Sequence, residues 1–390
     1  MKFDFDKVVD RHGTKCLKYD FAKERGRSDD MLPLWVADMD FPTAPGIQKS
    51  LSDAVAHGIY GYSEGKDDYF QAAARWYEKH FGWKVEKEWL IKTPGVVFAI
   101  AMAVKAYTKE GDAVLLQQPV YYPFSEVITD NHRRLINSPL QQIDGHYEIN
   151  FEEFEQKIVE ENVKLFLMCS PHNPVGRVWK EWELRKIGDI CLKHNVLVVS
   201  DEIHSDFTYG ENIHHVFASL DEKYAAITTT CTAPSKTFNI AGLQISNIWI
   251  SNPELRARFR AEVTAAGYSQ VNLMGLVACQ AAYETGEEWL KELKIYLEGN
   301  LDYVRTFLKE NLPEIKLTEP EGTYLLWIDC NAYDITDKEL ENKLLYDAKL
   351  WLDMGSMFGP EGNKFFRFNI ACPKSILEKG LGQLAEAFKE

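Results

Sequence analysis

Between residues 113 and 250 the chain alternates short apolar runs with segments of helical period. The runs are Ala113–Leu116, Leu165–Cys169, Val196–Ser200, Ala226–Thr230 and Ile245–Ile250. The helical patterns Phe151–Glu160 and Lys180–His194 precede the second and third of them. Strands this continuously apolar are buried on both faces, and helices between them supply the cover. The chain is therefore expected to be α/β, with a mostly parallel sheet flanked by helices. At 390 residues it exceeds the size at which one core divides, so about two domains are expected. From Gly286 the pattern changes. Glu287–Asn311 is a long, charged, amphipathic helix, followed by the strand-like Tyr324–Asp329 and the alternating Phe365–Asn369. The expected division is a large domain over 46–285 and a smaller α+β domain built from 1–45 and 286–390.

Charge and cysteines narrow the class. Against 44 basic residues stand 59 acidic ones, a net charge of −15. That balance argues against nucleic acid or an anionic membrane as partner. Nothing basic or helix-turn-helix-like is visible. No run reaches the roughly 18 apolar residues of a membrane span. Met1–Arg11 is charged, without the apolar stretch of a signal peptide, so a cytoplasmic protein is expected. The seven cysteines are scattered and never in C-x-x-C spacing, which points to reduced core thiols.

Parallel sheets bind ligands beyond the carboxyl ends of their strands. Tyr121, Asn173, Asp201 and Lys236 all stand at or soon after the end of an apolar run. Lys236 lies among small and hydroxyl residues in Thr232–Gly242; desolvated there, its amine becomes nucleophilic. Asp201 closes the run Val196–Ser200. A Schiff-base lysine and an aspartate facing a pyridinium nitrogen are the two protein groups that pyridoxal phosphate demands. Pro94-Gly95-Val96-Val97 opens a helix whose first amides suit a phosphate, or it is a plain helix start. Tyr121, in Gln118–Phe124, suits stacking on a flat heterocycle, or it anchors the core. Asn173 sits in the turn Ser170–Gly176 between two prolines, its amide available to a phenolate oxygen. Asp201, Glu202 and His204 are close in sequence but lack a further ligand cluster, so no metal is expected. Arg367 is the lone cation in Phe365–Asn369 and should face an anion, either a substrate carboxylate or a structural partner. Trp35–Pro42, which includes Ala37, either lines the entrance or docks the N-terminal arm. The turn His57–Gly65 offers exposed aromatics to a subunit interface.

Together these segments resemble the fold-type-I pyridoxal-phosphate enzymes of the class I and II aminotransferase superfamily, over nearly the whole chain. Trp35–Pro42, Gly61-Tyr62, Pro119–Phe124, Ser200–His204 and Ala233–Gly242 are similar to the MalY/PatB-type branch of cystathionine β-lyases. The resemblance implies a seven-stranded-type sheet and pyridoxal 5'-phosphate as cofactor. Lys236 is then the Schiff-base lysine, Asp201 the partner of the pyridine nitrogen and Tyr121 the stacking ring. Asn173 binds the phenolate oxygen, with His204 as a second partner. Gly95, Val96, Val97 and Ser235 hold the phosphate. Arg367 takes the substrate carboxylate, with Ala37, Tyr121 and Asn173 beside it. Tyr62 reaches the cofactor of a second subunit, which implies a homodimer with shared sites. Many aminotransferases carry an arginine eight positions after the lysine; here it is Gln244, which favours a lyase acting on an amino-acid thioether. The alternatives are an aminotransferase, or a regulatory protein-binding role with secondary lyase activity.

Overall fold

The computed structural model describes residues 2–389. Seven strands form the main sheet: β1 (Leu90–Thr93), β2 (Ala113–Leu116), β3 (Arg134–Asn137), β4 (Val163–Cys169), β5 (Leu197–Asp201), β6 (Thr228–Thr232) and β7 (Ser246–Trp249). Their order is β1-β7-β6-β5-β4-β2-β3. All neighbouring pairs are parallel except those of β7, which runs antiparallel to both β1 and β6.

Side chains alternate across this sheet, and both faces are covered. Leu165, Leu167 and Val199 join Ala99, Ala103, Leu255 and Phe259 of the helices Val96–Tyr107 and Pro253–Ala265. Phe166, Met168 and Val198 join Phe154, Ile158, Leu184 and Ile187 of the helices Phe151–Glu160 and Glu181–Lys193. Each such leucine or phenylalanine gains about 1.5–3 kcal/mol from leaving water, which holds the central strands in place.

A second sheet, antiparallel throughout, contains β8 (Lys316–Thr318), β9 (Leu325–Asp329), β10 (Asp353–Met354) and β11 (Phe365–Asn369), in the order β8-β9-β11-β10. Against it lies the helix Glu287–Asn311, whose buried stripe includes Leu293, Leu297, Leu301, Val304 and Leu308 at helical spacing. Phe5, Leu32, Leu34 and Phe41 from the start of the chain enter the same cluster.

The expected strand Ala226–Thr230 is displaced to Thr228–Thr232. The turn Glu222–Ala225, capped by Asp221, occupies the preceding residues, and the β-branched threonines extend the strand onward to Thr232. β1 and β3 were not anticipated, nor was the direction of β7. Six cysteines are buried, Cys16 is half-buried, and all seven are free thiols. Among the described residues no helix is long and apolar enough to cross a membrane.

Candidate active site

The carboxyl ends of β4, β5 and β6 converge on a cavity of about 280 Å³. Gly95, Val96, Val97, Tyr121, Asn173, Asp201, His204, Ser235, Lys236 and Ala37 all line it. Of the expected residues, Tyr62 and Arg367 do not.

Lys236 arrives by a sharp change of direction. β6 ends at Thr232, Ala233 is extended, and Pro234 starts the single turn Pro234–Thr237. Proline suits that first position because its φ is preset and its missing N–H would be unpaired there. The Lys236 Nζ donates to the Ala37 carbonyl at 2.7 Å. The side chain is half-buried: protein surrounds it except where it meets the cavity. Burial and then the Arg367 charge push its amine down to about 8, opposed by Asp38 and Asp201.

Asp201 ends β5 and is 4% exposed. Its Oδ1 accepts the Ile203 amide at 3.1 Å. Among the described residues no cation lies within ion-pair distance of it. Burial pushes the carboxyl up to about 7, against the Ile203 hydrogen bond and the Lys236 charge. His204 stands nearby with Nδ1 buried and unpartnered, and burial holds its imidazole well below the ordinary range.

The opposite wall is the start of the helix Val96–Tyr107. Gly95 caps it at φ 156°, ψ 161°, a region essentially reserved for glycine, and a Cβ there would project into empty space. The first amides of that helix have no intrahelical acceptor and face the cavity with the positive end of the dipole. Gln244, in the left-handed conformation at φ 49°, lines the same cavity.

Tyr121 presents its ring to the cavity while its amide donates to the Asn173 carbonyl at 3.0 Å. Asn173, 3% exposed, follows β4 in a turn where Pro171 and Pro174 both follow cis peptide bonds. Its Oδ1 accepts from Arg367 Nη1 at 3.1 Å, which leaves its NH₂ as a donor.

Arg367 was expected to face an anion, and the protein supplies one. Asp353 on β10 stands directly opposite it in register, and the two form a buried ion pair. Arg367 Nη2 also donates to the Trp35 carbonyl at 2.9 Å, and Nε is buried without a partner. Arg367 thus reaches the cavity through Asn173. Tyr62 is 95% exposed on a surface turn, outside the cavity of its own chain.

Sequence reasoning missed Asp353, Tyr324 and Asn239. Tyr324 donates to the Ala37 carbonyl at 3.0 Å, and Asn239 binds Met39 and Phe41, so both fix the segment that carries Ala37. A signal existed for Asp353: it is the one acid in the apolar run Leu350–Met354, as Arg367 is the one base in its own.

The donor set fits the expected cofactor. An unpaired buried carboxylate suits a protonated ring nitrogen, a depressed amine suits an aldehyde, and helix amides suit a phosphate. The class I and II aminotransferase family matches residues 29–384, and the chain belongs to that family. It is 42% identical over 384 residues to cystathionine beta-lyase PatB of Bacillus subtilis (strain 168), covering 98% of this chain and 99% of that protein. It is 35% identical over 390 residues to protein MalY of Escherichia coli (strain K12), covering 99% of each. The crystal structure of cystalysin from Treponema denticola, which contains pyridoxal 5'-phosphate, superposes with a TM-score of 0.96 at 38% identity, covering 99% of each chain.

Proposed function

We propose that this protein is a pyridoxal 5'-phosphate-dependent carbon–sulfur β-lyase. It takes L-cystathionine and related S-conjugates of cysteine to a thiol, pyruvate and ammonia. The observation that carries the reading is the Lys236–Asp201 pair, set in one cavity at the ends of β5 and β6 with the Gly95 helix start. Full-length identity of 42% to a cystathionine beta-lyase, and Gln244 in place of an arginine, support lyase over transfer chemistry.

When bound, the cofactor supplies an electron sink for the carbon that loses its proton. Lys236, with its amine near 8, takes the substrate α-proton as general base close to neutral pH. Asp201 holds positive charge at the ring nitrogen, the cation that its buried carboxylate otherwise lacks. Gly95, Val96 and Val97 give amide donors to the phosphate, and Ser235 gives its hydroxyl. Tyr121 lies against the ring, while the Asn173 NH₂ and His204 address its phenolate side. The Arg367 guanidinium, braced by Asp353, is assigned the substrate carboxylate, which it addresses together with Asn173 and Ala37 of the cavity wall. Tyr62, exposed on its turn, completes the phosphate site of a second copy, making a homodimer with shared sites. We assign residues 46–285 to the cofactor-binding domain, 1–45 with 286–390 to the smaller one, and the protein to the cytoplasm.

The test is the cofactor-loaded protein with L-cystathionine alone. Steady release of pyruvate and homocysteine without any keto-acid acceptor supports the lyase. Turnover only when an acceptor is added would make it an aminotransferase.

A further inference from the structure

A second cavity, of about 360 Å³, shares the Arg367 corner. Its walls include Asp353, which pairs with Arg367, and Trp35, whose carbonyl accepts from Arg367. Arg367 in turn donates to Asn173 at 3.1 Å, and Asn173 lines the cavity of the candidate active site. The slot therefore adjoins the site just described. One wall is aromatic: Trp35 stacks on Trp351 with centroids 4.5 Å apart and planes 15° apart. The Arg25 guanidinium lies over the Trp35 ring, 5.2 Å from its centroid. Trp35 Nε1 is buried and has no hydrogen-bond partner.

The charges in this slot are not equally satisfied. Glu341 pairs with Arg27 at 3.1 Å. Asp337 accepts from the Ser356 hydroxyl at 2.8 Å and the Lys364 amide at 2.9 Å. Asp353 has Arg367. Arg25 alone among the slot's cations has no carboxylate partner among the described residues. An unpaired guanidinium against an aromatic wall is the complement of a carboxylate.

We propose that this slot receives the leaving half of the thioether substrate, with Arg25 recognising a carboxylate at its far end. The inference rests on the lyase reading. The methylenes beyond sulfur lie along the Trp35–Trp351 wall, and the second amino-acid head of a substrate such as L-cystathionine reaches Arg25. Arg25 then determines specificity. It makes thioethers ending in a carboxylate better substrates than those ending in a bare alkyl group.

The experiment compares L-cystathionine with S-methyl-L-cysteine, which has the same β-thioether and no distal carboxylate. In Arg25→Gln the ratio of their kcat/KM values should fall about tenfold, the worth of one charge-assisted two-point contact. Arg25→Lys should retain part of the preference. A ratio that stays within twofold of the unsubstituted protein overturns the assignment. Arg25 is exposed, so its replacement leaves the core untouched. A binding arm separates this inference from the lyase reading. The Kd of each compound is measured by calorimetry on cofactor-loaded Lys236→Ala protein, with and without Arg25→Gln. If the unsubstituted protein releases no pyruvate from either compound, the lyase reading fails. The Kd ratio still decides the slot: a tenfold loss confined to L-cystathionine supports it, and an equal change in both compounds overturns it.

Discussion

Two buried polar corners meet at the site, and they are built in opposite ways. On the four-stranded sheet, Arg367 is met by Asp353, the Trp35 carbonyl and Asn173, so most of its donors are spoken for. On the seven-stranded sheet, Asp201 has one backbone donor and, among the described residues, no cation, and the His204 ring has an orphaned nitrogen. Buried polar groups in folded proteins are normally satisfied, so an unsatisfied set in a cavity marks where a ligand completes the structure. The paired corner is a finished support, and the unpaired one waits for its partner.

Replacing Lys236 tests the unfinished corner most severely. Lys236→Ala should lower kcat/KM for L-cystathionine by about 10³-fold or more, read as pyruvate release. Borohydride reduction of the cofactor-loaded variant should leave no adduct at position 236. Retained activity would show that the corner is not where the chemistry lies.

The finished corner should respond in stability. Asp353→Ala strands the Arg367 charge in the interior, at a cost of about 3–5 kcal/mol in urea unfolding of the cofactor-free protein. Replacing both partners by leucine should recover much of that loss. A single variant as stable as the parent would mean that Arg367 does not depend on its pair.

The pH dependence of the cofactor-free protein sharpens the contrast. Asp201 titrates near 7 when folded and near its ordinary value when unfolded. Between about pH 4 and 7 the folded state therefore holds a proton that the unfolded chain has lost. Its contribution to stability is present at the acid end of that window and fades as pH rises through it, by a few kcal/mol. Lys236 has the reverse sign: with its folded value near 8, the unfolded chain binds more protons between 8 and about 10.5, so stability climbs with pH there. Asp201→Asn should flatten the first slope and Lys236→Met the second, in chemical denaturation at stepped pH. Slopes unchanged by both substitutions would remove the case for an unfinished corner.

The sequence revealed these corners unequally. The central strands were legible because a strand buried on both faces must be apolar throughout, as in Ala113–Leu116 and Leu165–Cys169. The outer strands were not. Arg134–Asn137 keeps only partial burial, and its polar ends read as loop. The antiparallel course of Ser246–Trp249 was invisible because an apolar run has no direction. Ten of the expected site residues line one cavity; strand ends and punctuating glycines and prolines marked seven of them locally, while Ala37, His204 and Ser235 came with the family resemblance. Asp353 is bound to Arg367 by register between two strands, a pairing that no single segment encodes.

The free cysteines carry a consequence for a catalyst whose product is a mercaptan. Such an enzyme works in a reducing broth of its own making, where any cystine bridge would be open to attack by the released sulfur compound. This chain has no bridge to lose, and six of its seven sulfhydryls are sealed inside the fold. Only the one at position 16 is placed to exchange with what the active site lets go.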